Sequence, residues 1–156
     1  MGSLNEQAVQ ALAEQAGVGA VRAVVPIAGG ANNRVFQVLT ALGTYLLKSY
    51  FRHPDDPRDR LHAEFSFSQF SWSHGVRCIP QPLASDAEAG LALFEFVFGH
   101  SLKGSVAGDA EVEQAIEFFR VLNAVRHEAG SASLPRASES CLSLDDHFQD
   151  RKSTRL

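Results

Sequence analysis

One lysine stands inside an otherwise apolar run, TYLLKSYF, which begins at Thr44. A lysine in a buried strand costs free energy unless its ammonium group is paired or reaches water. Sixteen residues after Lys48, the segment HAEF supplies a carboxylate at Glu64 that could pair with it. Upstream, the small and polar residues GGANN let backbone amides approach an anion. Leu46 shares a strand face with Lys48, and an apolar residue beside a cation suits an aromatic base with its phosphates.

A second interpretation of Lys48 stays open at this point. On an edge strand, its long side chain could reach solvent and have no role in binding. A further alternative is a plain α+β fold in which the lysine is structural.

The apolar periodicity predicts an α+β lobe with five antiparallel strands and one helix inserted after the third strand. The segment RLHAEFSFSQFSWSHG fits a strand with one slip at Gln69, and it also fits a helix with two apolar faces. We favour the helix, because Pro57 suits its start and Gly75 its end. The predicted helices span residues 4–16, about 57–75 and 109–128, and the strands include 21–28, 34–40, 44–51 and 91–98.

The helix at 109–128 shows the clearest pattern. Asp109 is a good N-cap residue. A broad apolar stripe follows on one face, formed by Val112, Ala115, Ile116, Phe119 and Leu122. The segment SLDD at residues 143–146 has the form of a capping box and predicts the start of one more helix.

Composition excludes several classes of protein. The 156 residues suffice for one domain, and 45% of them are apolar, which is not a disordered or fibrous composition. A net charge of −4 argues against a general nucleic-acid-binding surface. No signal peptide or membrane-spanning run is expected. Cys78 and Cys141 fit no metal spacing, so we expect a reducing, cytoplasmic setting.

Several segments of the chain, and their order along the sequence, resemble the amino-terminal lobe of the aminoglycoside phosphotransferase and choline kinase family, relatives of the protein kinases. The resemblance lies in GGANNRVFQV, YLLK, HAEF and LFEFVFG, and it continues through RVLNAVRHEAGSASLPRASESCLSLDDHF, which is similar to the first helices of the carboxy-terminal lobe. The protein-kinase signature G-x-G-x-x-G-x-V is not met. The resemblance implies a nucleotide-binding lobe at 1–98, a linker at 99–108, and the first helices of an incomplete carboxy-terminal lobe at 109–156.

By this resemblance, the chain is expected to belong to an ATP-dependent phosphotransferase that acts on a small-molecule hydroxyl and uses Mg²⁺. Lys48 would bind the α- and β-phosphates, and Glu64 would orient it. The adenine ring would lie between Val35 and Leu46. Its edge would bind the backbone of Glu95, Phe96 and Val97. The phosphates would bind the backbone of Gly29, Gly30, Ala31, Asn32 and Asn33.

No residues match the catalytic aspartate and the magnesium ligands of the family. HPD at His53 to Asp55 fits a solvated turn, DDH at Asp145 to His147 fits a helix start, and HAE at His62 to Glu64 lacks the cysteine pair of a zinc deaminase. We therefore expect the base and metal ligands beyond Leu156, and we expect this chain to be inactive alone.

The expected partners are a nucleotide and an unidentified acceptor, with no nucleic acid and no membrane. An oligomer could form through apolar surface that a carboxy-terminal lobe would cover. The alternative function is a non-catalytic nucleotide-binding or interaction domain of the same fold.

Overall fold

The computed structural model describes residues 4–27, 33–52, 58–99, 104 and 106–135. It confirms the α+β class, with a helix inserted between the third and fourth strands of a five-stranded sheet. The capping box predicted at 143–146 lies outside the described residues. In chain order the elements are α1 (Glu6–Gln15), β1 (Val21–Ile27), β2 (Asn33–Thr40), β3 (Thr44–Tyr50), α2 (Arg60–Ser73), β4 (Pro82–Asp86), β5 (Leu91–Glu95), α3 (Asp109–Ala124) and a 3-10 turn at Ser131–Ser133.

The five strands form one antiparallel sheet in the order β1-β2-β3-β5-β4. β2 and β3 form a tight hairpin, whose turn is held by the Thr40 hydroxyl as it accepts the N–H groups of Leu42 and Gly43. β3 lies between β2 and β5, and Lys48 on it pairs with Val35 on one side and Ala92 on the other. The interpretation of Lys48 as an edge-strand residue is therefore wrong.

One face of the sheet packs on α1. Asn5 caps this helix, since its side-chain oxygen accepts the N–H groups of Gln7 and Ala8. Side chains alternate between the faces of a strand, so Leu47 and its partner Leu93 both point towards α1. The buried members of this core are Val9, Leu12, Ala13, Val18, Phe36, Val38, Leu47, Ala84, Leu91 and Leu93.

The other face packs on α2, which confirms the helical interpretation of RLHAEFSFSQFSWSHG and rejects the strand. Asp59 caps α2 by accepting the N–H of His62 at 2.8 Å. One of the two predicted apolar faces is buried, with Leu61 and Phe65 in a second core cluster that also contains Tyr50, Ala92 and Phe94. The other predicted face was formed by Ala63, Phe67 and Phe70, and of these Phe67 is exposed. A helix that covers one sheet face thus leaves part of its own apolar surface uncovered.

Strand β5 ends at Glu95 rather than at Phe98, so the prediction of a strand to residue 98 was too long. The reason is the register with β3, in which Glu95 pairs with Tyr45. Because β3 begins at Thr44, only one more residue of β3 remains to pair with β5 beyond Glu95. Beyond it the Phe96 and Phe98 rings pack edge to face, with 4.9 Å between their centroids.

The N-cap residue of α3 lies one position earlier than predicted. Gly108, not Asp109, is the N-cap residue, because the Glu111 carboxylate accepts the Gly108 N–H at 2.8 Å. The helix ends at Ala124, four residues before the predicted end, and its next three residues form turns. None of its residues is buried.

The apolar stripe predicted on α3 is largely exposed. Among the described residues, Val112 is 49% exposed, Ile116 63% and Phe119 69%. These three residues lie three or four positions apart and therefore on one helix face. An exposed apolar face of this kind is a candidate interaction surface.

No described helix combines the length and the apolar character that crossing a membrane would require.

We expect this α3 face to bind an apolar fluorescent dye. Changing Ile116 and Phe119 together to serine should lower dye fluorescence and any self-association measured by sedimentation, because the change removes the two largest exposed apolar groups of the stripe. Val106→Ser is the matched control, since Val106 is 98% exposed but lies outside the helix. Equal dye fluorescence for the double variant and the wild type would show that the face is covered in solution.

Candidate functional site

Lys48 and Glu64 form an ion pair, with 2.5 Å between Nζ and Oε1. The Lys48 side chain is 24% exposed and that of Glu64 38%. The pair therefore lies at the border of the protein interior and remains in contact with solvent. The structure brings together the two residues that the sequence pairs across a separation of sixteen positions.

The position of Glu64 follows from the packing of α2. Leu61 and Phe65 are buried against β3 and β5, and the Phe65 ring meets the Phe94 ring edge to face with 5.7 Å between centroids. Glu64 lies three residues after Leu61 and one before Phe65, at the rim of the same contact. The Ser68 hydroxyl donates to the Glu64 carbonyl oxygen at 2.8 Å, one turn further along the helix.

Phe94 also contributes to the environment of the ammonium group. The Lys48 Nζ lies 5.9 Å from the centroid of the Phe94 ring, within the range of a cation–π contact. The Phe94 ring therefore contacts both α2 and the ammonium group of Lys48. Through this ring the ion pair adjoins the apolar cluster.

Tyr50 is a third member of the site that the sequence analysis did not identify. Its hydroxyl donates to Oε2 of Glu64 at 2.9 Å, while Lys48 occupies Oε1. Burial raises the pKa of the Tyr50 phenol, and the charge of Glu64 and the hydrogen bond to it raise that pKa further, so the hydroxyl keeps its proton. The available signal was the spacing: Tyr50 lies two positions after Lys48 and so shares its strand face.

The register places further predicted residues on the face that carries Lys48. Val35 lies directly opposite Lys48, and Leu46 precedes it by two positions, opposite Phe94. Asn33 lies opposite Tyr50, and its side-chain oxygen is buried without a hydrogen-bond partner among the described residues. The predicted phosphate-binding residues Gly29, Gly30, Ala31 and Asn32 lie outside the described residues.

The segment predicted to hold an adenine edge lies at the end of β5. The Glu95 N–H donates to the Gln81 carbonyl at 2.8 Å, and the Glu95 carboxylate accepts the Gln81 N–H at 3.2 Å. The Glu95 amide is thus engaged by the protein, which leaves its carbonyl and the backbone of Phe96 and Val97 as the candidate groups. Val97 is exposed.

Of the other motifs, HAE at residues 62–64 lies within the described residues, in α2. His62 Nδ1 lies 3.1 Å from the Ser66 hydroxyl, within its own helix. In the described part of the chain, no three His, Cys, Asp or Glu side chains are grouped so that they could hold a metal ion. Both HPD at residues 53–55 and DDH at residues 145–147 lie outside the described residues.

Comparison with known proteins identifies the family. Residues 23–152 match the model of the phosphotransferase enzyme family, a range that contains α2, α3 and the sheet apart from the first two residues of β1. The chain belongs to this family, as its resemblance to the aminoglycoside phosphotransferases predicts. No curated protein matches the chain at a significant level of similarity.

We expect the ion pair to contribute little to folding stability. Lys48→Met, which keeps most of the side-chain stem, should change the free energy of unfolding by no more than about 1 kcal/mol, because an ion pair in contact with solvent is worth ~0–1 kcal/mol. Leu47→Ala is the matched control on the same strand: Leu47 is fully buried, and its truncation should cost about 2–5 kcal/mol. Denaturant unfolding of both variants makes the comparison.

A loss of roughly 3–5 kcal/mol for Lys48→Met would instead identify a buried structural pair. The lysine would then belong to the fold rather than to a binding site.

Proposed function

We propose that this chain binds ATP on the sheet face that carries Lys48, as the nucleotide lobe of a phosphotransferase that acts on a small-molecule hydroxyl. The observation that carries this proposal is the Lys48–Glu64 pair, which holds a cation at a solvent-accessible position of the central strand. Membership of the phosphotransferase family supports the class of reaction.

The ammonium group retains donors for a ligand. A lysine ammonium has three N–H groups, and Glu64 accepts one of them. Because Lys48 remains partly exposed, the others can reach a phosphate oxygen. Charge-assisted bonds of this kind are stronger than neutral ones, and Glu64 keeps the ammonium in place before the nucleotide arrives.

The surface next to Lys48 suits an aromatic base. Ile27 and Val25 lie opposite Val35 and Gln37 on the same face and are both exposed. With Val35 they form an apolar strip that runs from the ammonium group towards the edge of the sheet. Leu46 lies on the same face, separated from Val25 by Gln37. Such a surface could bind both ends of a nucleotide. The adenine ring would pack on the apolar strip, and the phosphates would bind Lys48.

Mg²⁺ would arrive with ATP, where it neutralises phosphate charge. Both oxygens of Glu64 are already engaged, one by Lys48 and one by Tyr50, so the donor set at the pair does not suit a metal ion. We therefore propose that residues other than this pair provide the protein ligands for Mg²⁺ and the catalytic base. A cytoplasmic location would provide ATP and keep the free, exposed Cys78 reduced.

The test compares ATP with adenosine by equilibrium binding to residues 1–156. Lys48→Met should weaken ATP binding by about ten- to a hundred-fold, since charge-assisted bonds are worth ~1.5–3 kcal/mol. Adenosine, which has no phosphate, should bind both proteins equally. Arg22→Met is the control for loss of one positive charge, because Arg22 lies on the edge strand beside α1.

Absence of ATP binding by the wild type, or equal losses for ATP and adenosine, would contradict the proposal. In the same preparation, phosphate transfer to small alcohols and amino alcohols should be undetectable. Magnesium-dependent, single-turnover transfer would show that the chain contains its own catalytic groups.

A further inference from the structure

We propose that Tyr50 is a positioning residue for the nucleotide site: it fixes the carboxylate of Glu64 so that Glu64 can direct the ammonium group of Lys48. This inference rests on the proposed function and adds a residue to the site. Tyr50 touches neither phosphate nor base in the proposal, and it acts through Glu64 alone.

The hydrogen bonds of Glu64 give the first reason. A carboxylate that meets a lysine through one oxygen can still rotate about its terminal bond, which is a soft torsion. Here Lys48 takes Oε1 and Tyr50 takes Oε2, at 2.9 Å. With both oxygens engaged, the plane of the carboxylate is fixed, and so is the direction from which the ammonium group is held.

The rigidity of Tyr50 gives the second reason. Its ring is buried in the cluster with Leu61, Phe65 and Phe94, and its backbone N–H donates to the Gly90 carbonyl at 2.9 Å. Glu64, in contrast, has a side chain that is more than one-third exposed. A buried, anchored hydroxyl therefore gives firm support to a carboxylate that would otherwise move in solvent.

The chemistry of the hydroxyl gives the third reason. Burial and the neighbouring carboxylate raise the pKa of the phenol, so Tyr50 remains a donor at any pH at which the protein functions. The Tyr50 hydroxyl therefore keeps its donor, unlike a histidine ring, which gains or loses a proton in the physiological pH range.

The main test is Tyr50→Phe, which removes the hydroxyl and keeps the ring. We expect ATP affinity to fall roughly three- to tenfold, while adenosine affinity stays the same. In a Lys48→Met background, Tyr50→Phe should cause no further loss, because its effect passes through the lysine. Tyr45→Phe is the matched control: Tyr45 lies on the same strand but packs against the α1 core.

Two outcomes overturn the inference alone: wild-type ATP affinity in Tyr50→Phe while Lys48→Met loses affinity, or an equal loss from Tyr50→Phe with and without Lys48. Absence of ATP binding by the wild type overturns the proposed function, and this inference falls with it. The two failures are therefore distinguishable.

A second measurement applies even if Tyr50→Phe fails to fold. The chain has two tyrosines, so protein labelled with 3-fluorotyrosine gives two fluorine resonances, which Tyr45→Phe assigns. The Tyr50 resonance should shift in Glu64→Gln, and it should shift on addition of ATP to the wild type but not to Lys48→Met. A Tyr50 resonance that ignores both Glu64→Gln and ATP would contradict the positioning role.

Discussion

The ion pair between Lys48 and Glu64 joins the central strand of the sheet to the helix inserted after it. The other candidate binding groups, Val35, Leu46 and Tyr50, lie around this junction on the same face of the sheet. A slip of one residue in β3 would turn Lys48 towards α1 and leave Glu64 without its partner. The register with β2 and β5 prevents that slip, since it aligns Val35, Lys48 and Ala92 on the face that α2 covers.

Apolar packing, rather than the ion pair, brings α2 to the sheet. Burying Leu61 and Phe65 contributes about 1.5–3 kcal/mol each, whereas a pair in contact with solvent contributes ~0–1 kcal/mol. Because the cluster already fixes the helix, Lys48 and Glu64 can remain partly solvated and available to a ligand. Tyr50 connects the apolar cluster to the ion pair, because its ring lies in the cluster and its hydroxyl donates to Glu64.

Sequence reasoning identified Lys48 and Glu64 because charged residues in apolar segments are conspicuous and must find partners. It favoured a helix for α2 because of the end signals, although the apolar pattern also allowed a strand. Gly75 follows the helix as predicted, but α2 begins at Arg60, three residues after Pro57. Tyr50 was missed because a tyrosine in an apolar strand looks like core, and only the packing of the helix shows that its hydroxyl meets Glu64. The end of β5 at Glu95 was misplaced for a similar reason: strand length depends on where the partner strand begins, which local composition does not encode.

The most direct measurement asks which lysine lies at the phosphates of bound ATP. An acyl phosphate of ATP places a reactive carbonyl at the end of the phosphate chain, where a nearby lysine amine attacks it, takes the acyl group and releases ATP. The chain offers three lysines, Lys48, Lys103 and Lys152, and mass spectrometry of peptides reports on each separately. We predict fast acylation of Lys48 that excess ATP suppresses and adenosine suppresses far less. Acylation of Lys48 no faster than that of the other two lysines, or unchanged by ATP, would contradict a nucleotide site at the ion pair.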